Sequence, residues 1–134
     1  HSHIAWMRSI EEKFGVEIPF TIIDDLSMNV AKAFGMIHPG ASDTSAVRAT
    51  FLIDPEGVVR AMVYYPMSNG RSVEEFIRLL TALQTSDANK VATPENWRPG
   101  EPVIVPPPAT AEAAKARANE GYDYTDWYFS KKTL

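Results

Sequence analysis

Two arginines are the residues of this chain best placed to do chemistry. Arg48 opens the stretch "RATFLI", otherwise a continuous apolar run, and Arg71 follows the end of the next such run, "VVRAMVYY", by a few residues. A guanidinium is charged at every ordinary pH and presents a planar fork of donors, so a rigidly held one can stabilise an anion. By residue type alone, an arginine at a strand mouth is a solvated edge charge. Other chemistries find less support. The chain has no cysteine, which removes disulfides and thiolate ligands. His38, in "MIHPG", has no partner at metal-ligand spacing and reads as a loop residue before a turn at Pro39 and Gly40. His1 and His3 receive no role. Ser42, Ser45, Ser68 and Ser72 lack the G-x-S-x-G setting of an esterase nucleophile. No metal or other cofactor is expected.

The arginines are positioned by a regular succession of elements. Ile4, Met7, Ile10 and Phe14 are spaced by three and four, the stripe of an amphipathic helix closed by Gly15. "IPFTIID" reads as a short buried strand with Pro19 near its start. "SMNVAKAFG" reads as a two-turn helix capped by Ser27, with Val30 and Phe34 facing inward and Gly35 ending it. "RATFLI" and "VVRAMVYY" form a strand pair around "DPEG", where Pro55 presets the turn and Gly57 relieves its exit. "SVEE", Ser72 to Glu75, is a capping box for a helix with Val73, Phe76, Ile77, Leu80 and Leu83 on one face. Helix, strand, helix, strand, strand, helix is an α/β order, and its last three elements are the ending of a thioredoxin-like fold.

Composition changes once. Residues 94–108 hold six of the ten prolines, and each fixes its own φ while steering the preceding residue away from helix. This predicts an extended arm, followed by an Ala-rich segment at 110–120 and an aromatic tail with Tyr122, Tyr124, Trp127, Tyr128 and Phe129. The division is therefore residues 1–90 as the thioredoxin-like part and 91–134 as a C-terminal arm. A hydrophobic share of 45% and a charged share of 22% are those of a globular chain rather than a disordered one. No stretch reaches the roughly 18 apolar residues of a membrane helix, which predicts a soluble protein without a membrane partner; a cytoplasmic location is the expectation. Thirteen basic residues against 17 acidic ones, scattered along the chain, argue against nucleic acid. The opening "HSHIAW" has no initiator Met and begins inside a helical pattern, the expectation for a start in mid-protein.

Taken together, "SHIAWMRSIEEKFGVEIPFTIIDD", "AFGMIHPG", "VRATFLIDPEGVVRAMVYYPMSNGRSVEEFIRLLTALQ", "TPENWRPGEPVIVPPP" and "DWYF" resemble the C-terminal two thirds of a peroxiredoxin of the one-cysteine, long-arm subfamily. Members of that family carry a peroxidatic cysteine in a P-x-x-x-T-x-x-C motif shortly before the "SHIAW" helix, and this sequence has no such motif. The resemblance implies a thioredoxin-like fold lacking its N-terminal part, with a Pro-rich dimerisation arm. It implies thiol-dependent reduction of a peroxide substrate by the complete protein, with an external thiol as reductant. It makes Arg48 the guanidinium beside the thiolate and Arg71 the second arginine of the site. A free thiol ionises near pH 8.5, too high for efficient attack at neutral pH, so a neighbouring cation matters. Some relatives have cysteines at the positions of Tyr124 and Ser130, and this chain offers neither. The resemblance further implies a homodimer or a ring of dimers, with the aromatic tail reaching over a neighbouring subunit. The alternative is a non-catalytic thioredoxin-like chain that keeps the dimerisation surface.

Overall fold

The computed structural model describes residues 2–37 and 48–134. His1, His38, Ser42 and Ser45 lie outside the described residues. Two compact units, His1–Asn69 and Gly70–Leu134, make up the chain, and each is described by itself.

In the first unit, helix α1 spans Ser2–Phe14. It stops where the local signal puts the stop. Gly15 adopts φ 65° and its N–H donates to the Glu11 carbonyl at 2.9 Å, the left-handed closure that a Cβ would strain. Strands β1 (Arg48–Ile53) and β2 (Val59–Tyr65) form an antiparallel pair. Their connection is held by Asp54, whose carbonyl accepts from the Gly57 N–H and whose carboxylate accepts from the Val58 N–H, both at 2.9 Å. The pairing steps from Leu52 opposite Ala61 to Ile53 opposite Val59. Arg60 is thus an extra residue on β2, a bulge, and its guanidinium lies 3.5 Å from the Asp54 carboxylate. Phe51 packs edge-to-face with Phe34 at 5.0 Å and with Tyr64 at 5.9 Å.

Two expectations for this unit need correction. "IPFTIID" forms no strand: residues 18–24 join no ladder among the described residues, and Phe20 and Ile23 are exposed. An apolar run becomes a strand only when a neighbour supplies the other half of its hydrogen bonds. The helix α2, Asn29–Ala33, exists, but Ser27 does not cap it. Met28 takes the cap position at φ 58°, and the Asp25 carboxylate accepts from the Val30 N–H at 3.1 Å and the Ala31 N–H at 2.7 Å. Val30 and Phe34, expected to face inward, are about two fifths exposed, at 37% and 38%.

The Asp25 capping contact carries a pH dependence. The Ala31 N–H, helped by those of Val30 and Asn29 and by Lys32, holds the carboxyl below its ordinary value against a smaller opposing effect of desolvation. A depressed carboxylate stabilises the fold above its unfolded pKa, about 3.9, and loses that contribution as pH falls through the folded value. Asp25→Asn should therefore weaken the acid sensitivity of α2 below about pH 4. Amide exchange at Val30 and Ala31 across pH checks this. Identical pH profiles for the parent and the variant would contradict it.

In the second unit, helix α3 spans Val73–Asn89. The Ser72 hydroxyl accepts from the Glu75 N–H at 3.3 Å, as the capping box requires. The reciprocal half is replaced: the Glu75 carboxylate accepts from Arg78 Nε at 2.7 Å and Nη2 at 2.8 Å. The expected inner face is open at Val73, Ile77 and Leu80, and the buried residue of the helix is Ala82. Ala82 packs with Val91, Trp97 and Val103. The proline-rich stretch, expected to be extended throughout, first makes two turns, with the Trp97 N–H donating to the Pro94 carbonyl at 3.2 Å and the Glu101 N–H to the Arg98 carbonyl at 3.1 Å, and runs as a strand only at Val103–Ile104; it supplies two of those four core side chains. Strand β3 (Val103–Ile104) pairs with β5 (Phe129–Lys132), which pairs with β4 (Asp123–Asp126), all antiparallel. Between β3 and β4 lies α4, Ala111–Ala116, capped by the Thr110 hydroxyl and followed by a 3₁₀ turn at Arg117–Asn119. Among the described residues no helix is long and apolar enough to cross a membrane.

Candidate functional site

Arg48 is the first residue of β1, opposite Tyr65. It is half-buried, and its Nε–H donates to the Met67 carbonyl at 3.0 Å. Met67 lies two residues beyond the end of β2, in a turn closed by the Asn69 N–H on the Pro66 carbonyl at 3.1 Å. The hairpin register brings that carbonyl to the arginine. A backbone acceptor orients a guanidinium without neutralising it, because a carbonyl carries no formal charge. Among the described residues no carboxylate pairs with Arg48. The contrast with other arginines of the chain is clear: Arg60 meets Asp54, Arg78 meets Glu75, Arg98 meets Glu74 and Arg117 meets Glu120. Arg48 is thus held at Nε, and no carboxylate among the described residues offsets its charge.

Arg71 stands immediately before the cap residue Ser72 and is exposed. It belongs to the second unit and Arg48 to the first. Neither Met67 nor Asp25 was singled out from the sequence. For Met67 the contact runs through the backbone, which leaves no trace in residue type. The one usable signal was the hairpin, since the turn at "DPEG" already implies that the residues just after Tyr65 return to the level of Arg48.

The aromatic tail is the β4–β5 hairpin. Tyr124 and Ser130 are directly paired across it. Ser130 is buried, and its hydroxyl donates to the Asp126 carbonyl at 3.0 Å. Trp127 and Tyr128, at the turn, stack edge-to-face at 5.4 Å and are exposed.

Residues 1–62 match the AhpC/TSA family, and residues 82–121 match the C-terminal domain of 1-Cys peroxiredoxin. A peroxiredoxin of Aquifex aeolicus is 55% identical over 99% of this chain and 64% of its own length. The chain belongs to the peroxiredoxin family. A peroxiredoxin of Methanosarcina mazei is 51% identical over 98% of the chain and 64% of its own length. Among solved structures, a yeast mitochondrial 1-Cys peroxiredoxin superposes with TM-score 0.83 at 33% identity, covering 99% of this chain and 65% of that one. These neighbours make the fold that of a thioredoxin-like peroxiredoxin, α/β in content. The chain spans 64% of the length of each of the two relatives.

Proposed function

We propose that this chain is the arginine-bearing and arm-bearing part of a thiol-dependent peroxidase. A cysteine thiolate elsewhere in the complete protein attacks one oxygen of the peroxide, the S–O bond forms and the O–O bond breaks. The departing hydroxide or alkoxide takes a proton, and an external thiol reduces the resulting sulfenic acid. Arg48 favours the thiolate and stabilises the charge growing on the leaving oxygen, and Arg71 is the second arginine of the pocket. The observation that carries this reading is Arg48 itself, tethered through Nε to the Met67 carbonyl and paired with no carboxylate among the described residues.

The test joins this chain to the cysteine-bearing segment of one of its relatives. The chain as it stands, with no cysteine, is expected to consume hydrogen peroxide no faster than buffer. The joined protein is expected to consume it with one sulfenic acid formed per peroxide. Thiol-dependent turnover by the chain alone, or none by a folded joined protein, would refute the proposal.

The same reading makes the protein a homodimer or a ring of dimers, with residues 91–134 as the arm. Exposed Trp127 and Tyr128 support it, since an aromatic pair on the surface is a common interface anchor. Removing residues 94–134 would be a poor test, because Trp97 and Val103 belong to the core beneath α3. Trp127→Ser with Tyr128→Ser leaves that core intact and should weaken association by about tenfold or more. Sedimentation at several concentrations checks this. Equal association of the parent and the double variant would remove the aromatic pair from the interface.

A further inference from the structure

Arg117 is a charged side chain only 8% exposed, in a unit whose core is four residues. Its surroundings come from three places. Nη2–H donates to the Pro106 carbonyl at 2.9 Å. The guanidinium lies over the Tyr122 ring, 5.4 Å from its centre, within reach of a cation–π interaction. Nε lies 3.4 Å from the Glu120 carboxylate but makes no hydrogen bond. Burying a cation with one donor unsatisfied is costly, and a buried ion pair is weak evidence for a contribution to stability. Overall stability therefore does not explain this arginine.

Its position in the chain does. The contact to Pro106 closes residues 107–116 into a loop that contains all of α4. A helix of six residues does not persist alone in water, so α4 depends on that closure. One end of the loop is already fixed, because the Val105 N–H donates to the Ser130 carbonyl at 2.9 Å. Arg117 fixes the other. Against the closed loop lies Trp127, which with Pro108, Ala109, Thr110, Ala111 and Ala114 bounds a cavity of about 290 Å³. We propose that Arg117 is a pin: it locks the 107–116 loop to the strand-bearing part of the arm and so sets where the exposed Trp127 stands. Releasing the pin frees the loop and the indole without unfolding the unit.

The test uses this chain with a lysine-specific protease and fluorine NMR of its three tryptophans, Trp127 being assigned with Trp127→Phe. Lys115 sits inside the loop, in α4, and Lys90 at the end of α3 reports on the rest of the unit. In Arg117→Met, cleavage after Lys115 should rise about tenfold or more, since proteolysis follows the population of the locally open form. Cleavage after Lys90 should stay as in the parent. The Trp127 resonance should move or broaden while that of Trp97 does not. Arg117→Lys, which keeps the charge and loses the fork but adds a cleavage site of its own, is read by the Trp127 resonance alone and should show a smaller shift than Arg117→Met. Tyr122→Leu, which removes the ring under the guanidinium, should act in the same direction and serves if the Met variant does not fold. The pin is overturned if these variants leave Lys115 cleavage and the Trp127 resonance unchanged. It is equally overturned if Lys90 cleavage rises in step with Lys115, because Arg117 would then support the whole unit.

Discussion

Arg48→Met, in a version of the protein joined to a peroxidatic-cysteine segment, is expected to lower the second-order rate constant for hydrogen peroxide by about ten- to a hundredfold at neutral pH. A charge-assisted hydrogen bond to an anion is worth on the order of 1.5 to 3 kcal/mol, and each tenfold step corresponds to about 1.4 kcal/mol. The same loss should raise the apparent pKa of the thiol by about one unit or more, because the cation favours the thiolate over the thiol. The rate suffers beyond the pKa effect, since the guanidinium also acts on the leaving oxygen as its charge grows. Arg48→Lys should recover only part of the rate: an ammonium restores charge, but it has no Nε to bind the Met67 carbonyl while two further nitrogens donate elsewhere. The control is Arg60, whose guanidinium faces Asp54 from the bulge of β2. Its alanine variant loses a partly exposed ion pair of small worth and should keep the parental rate. Rate constants across pH for each variant decide the matter. Superimposable curves for Arg48→Met and Arg60→Ala would reduce Arg48 to a strand-edge charge.

Trp97→Ala is expected to destabilise the second unit by about 3 to 5 kcal/mol, the range for deleting a large buried aromatic. Trp97 is only 3% exposed, in contact with Ala82, Val91 and Val103. Its indole N–H donates to the Glu101 carbonyl at 2.9 Å, and its own carbonyl accepts from Arg78 Nη1 at 3.2 Å. Arg78 is in turn held by Glu75, whose hydrogen bonds to it pull that carboxyl below its ordinary value. Alanine empties the centre of a four-residue core and strands the Glu101 carbonyl. Small domains have about 5 to 15 kcal/mol in total, so the loss is a large share of what holds α3 to the arm. Trp97→Phe should recover part of it, lacking only the indole donor and some volume. Urea unfolding followed by helical circular dichroism measures the change. A loss below about 1 kcal/mol would show that α3 does not depend on the proline-rich stretch.

Local chemistry is what the sequence by itself determined. Gly15 and Gly35 end their helices at positive φ, Ser72 caps α3, and the Asp54–Gly57 turn joins β1 to β2. In each case the deciding groups lie within a few residues of one another. Arg48 could be picked out at a strand mouth for the same reason. Tertiary structure decided the rest, wherever a partner far along the chain was needed. Residues 18–24 carry a strand pattern and join no ladder among the described residues, because a pattern cannot supply the opposite backbone. The proline-rich stretch stays out of helix, as its φ restrictions demand, yet two turns at 94–101 bring Trp97 inward, and Trp97 and Val103 become core, a choice made by the surface of α3. The β4–β5 hairpin has no local signal in the sequence, because its turn, at Trp127 and Tyr128, contains none of the glycine or asparagine that marks a tight turn. The bulge at Arg60 adds one residue to β2, and this shift sets Arg48 opposite Tyr65, with the Met67 carbonyl in reach. A side chain's type records what it can do, and only the register of the two strands records which backbone atom holds it in place.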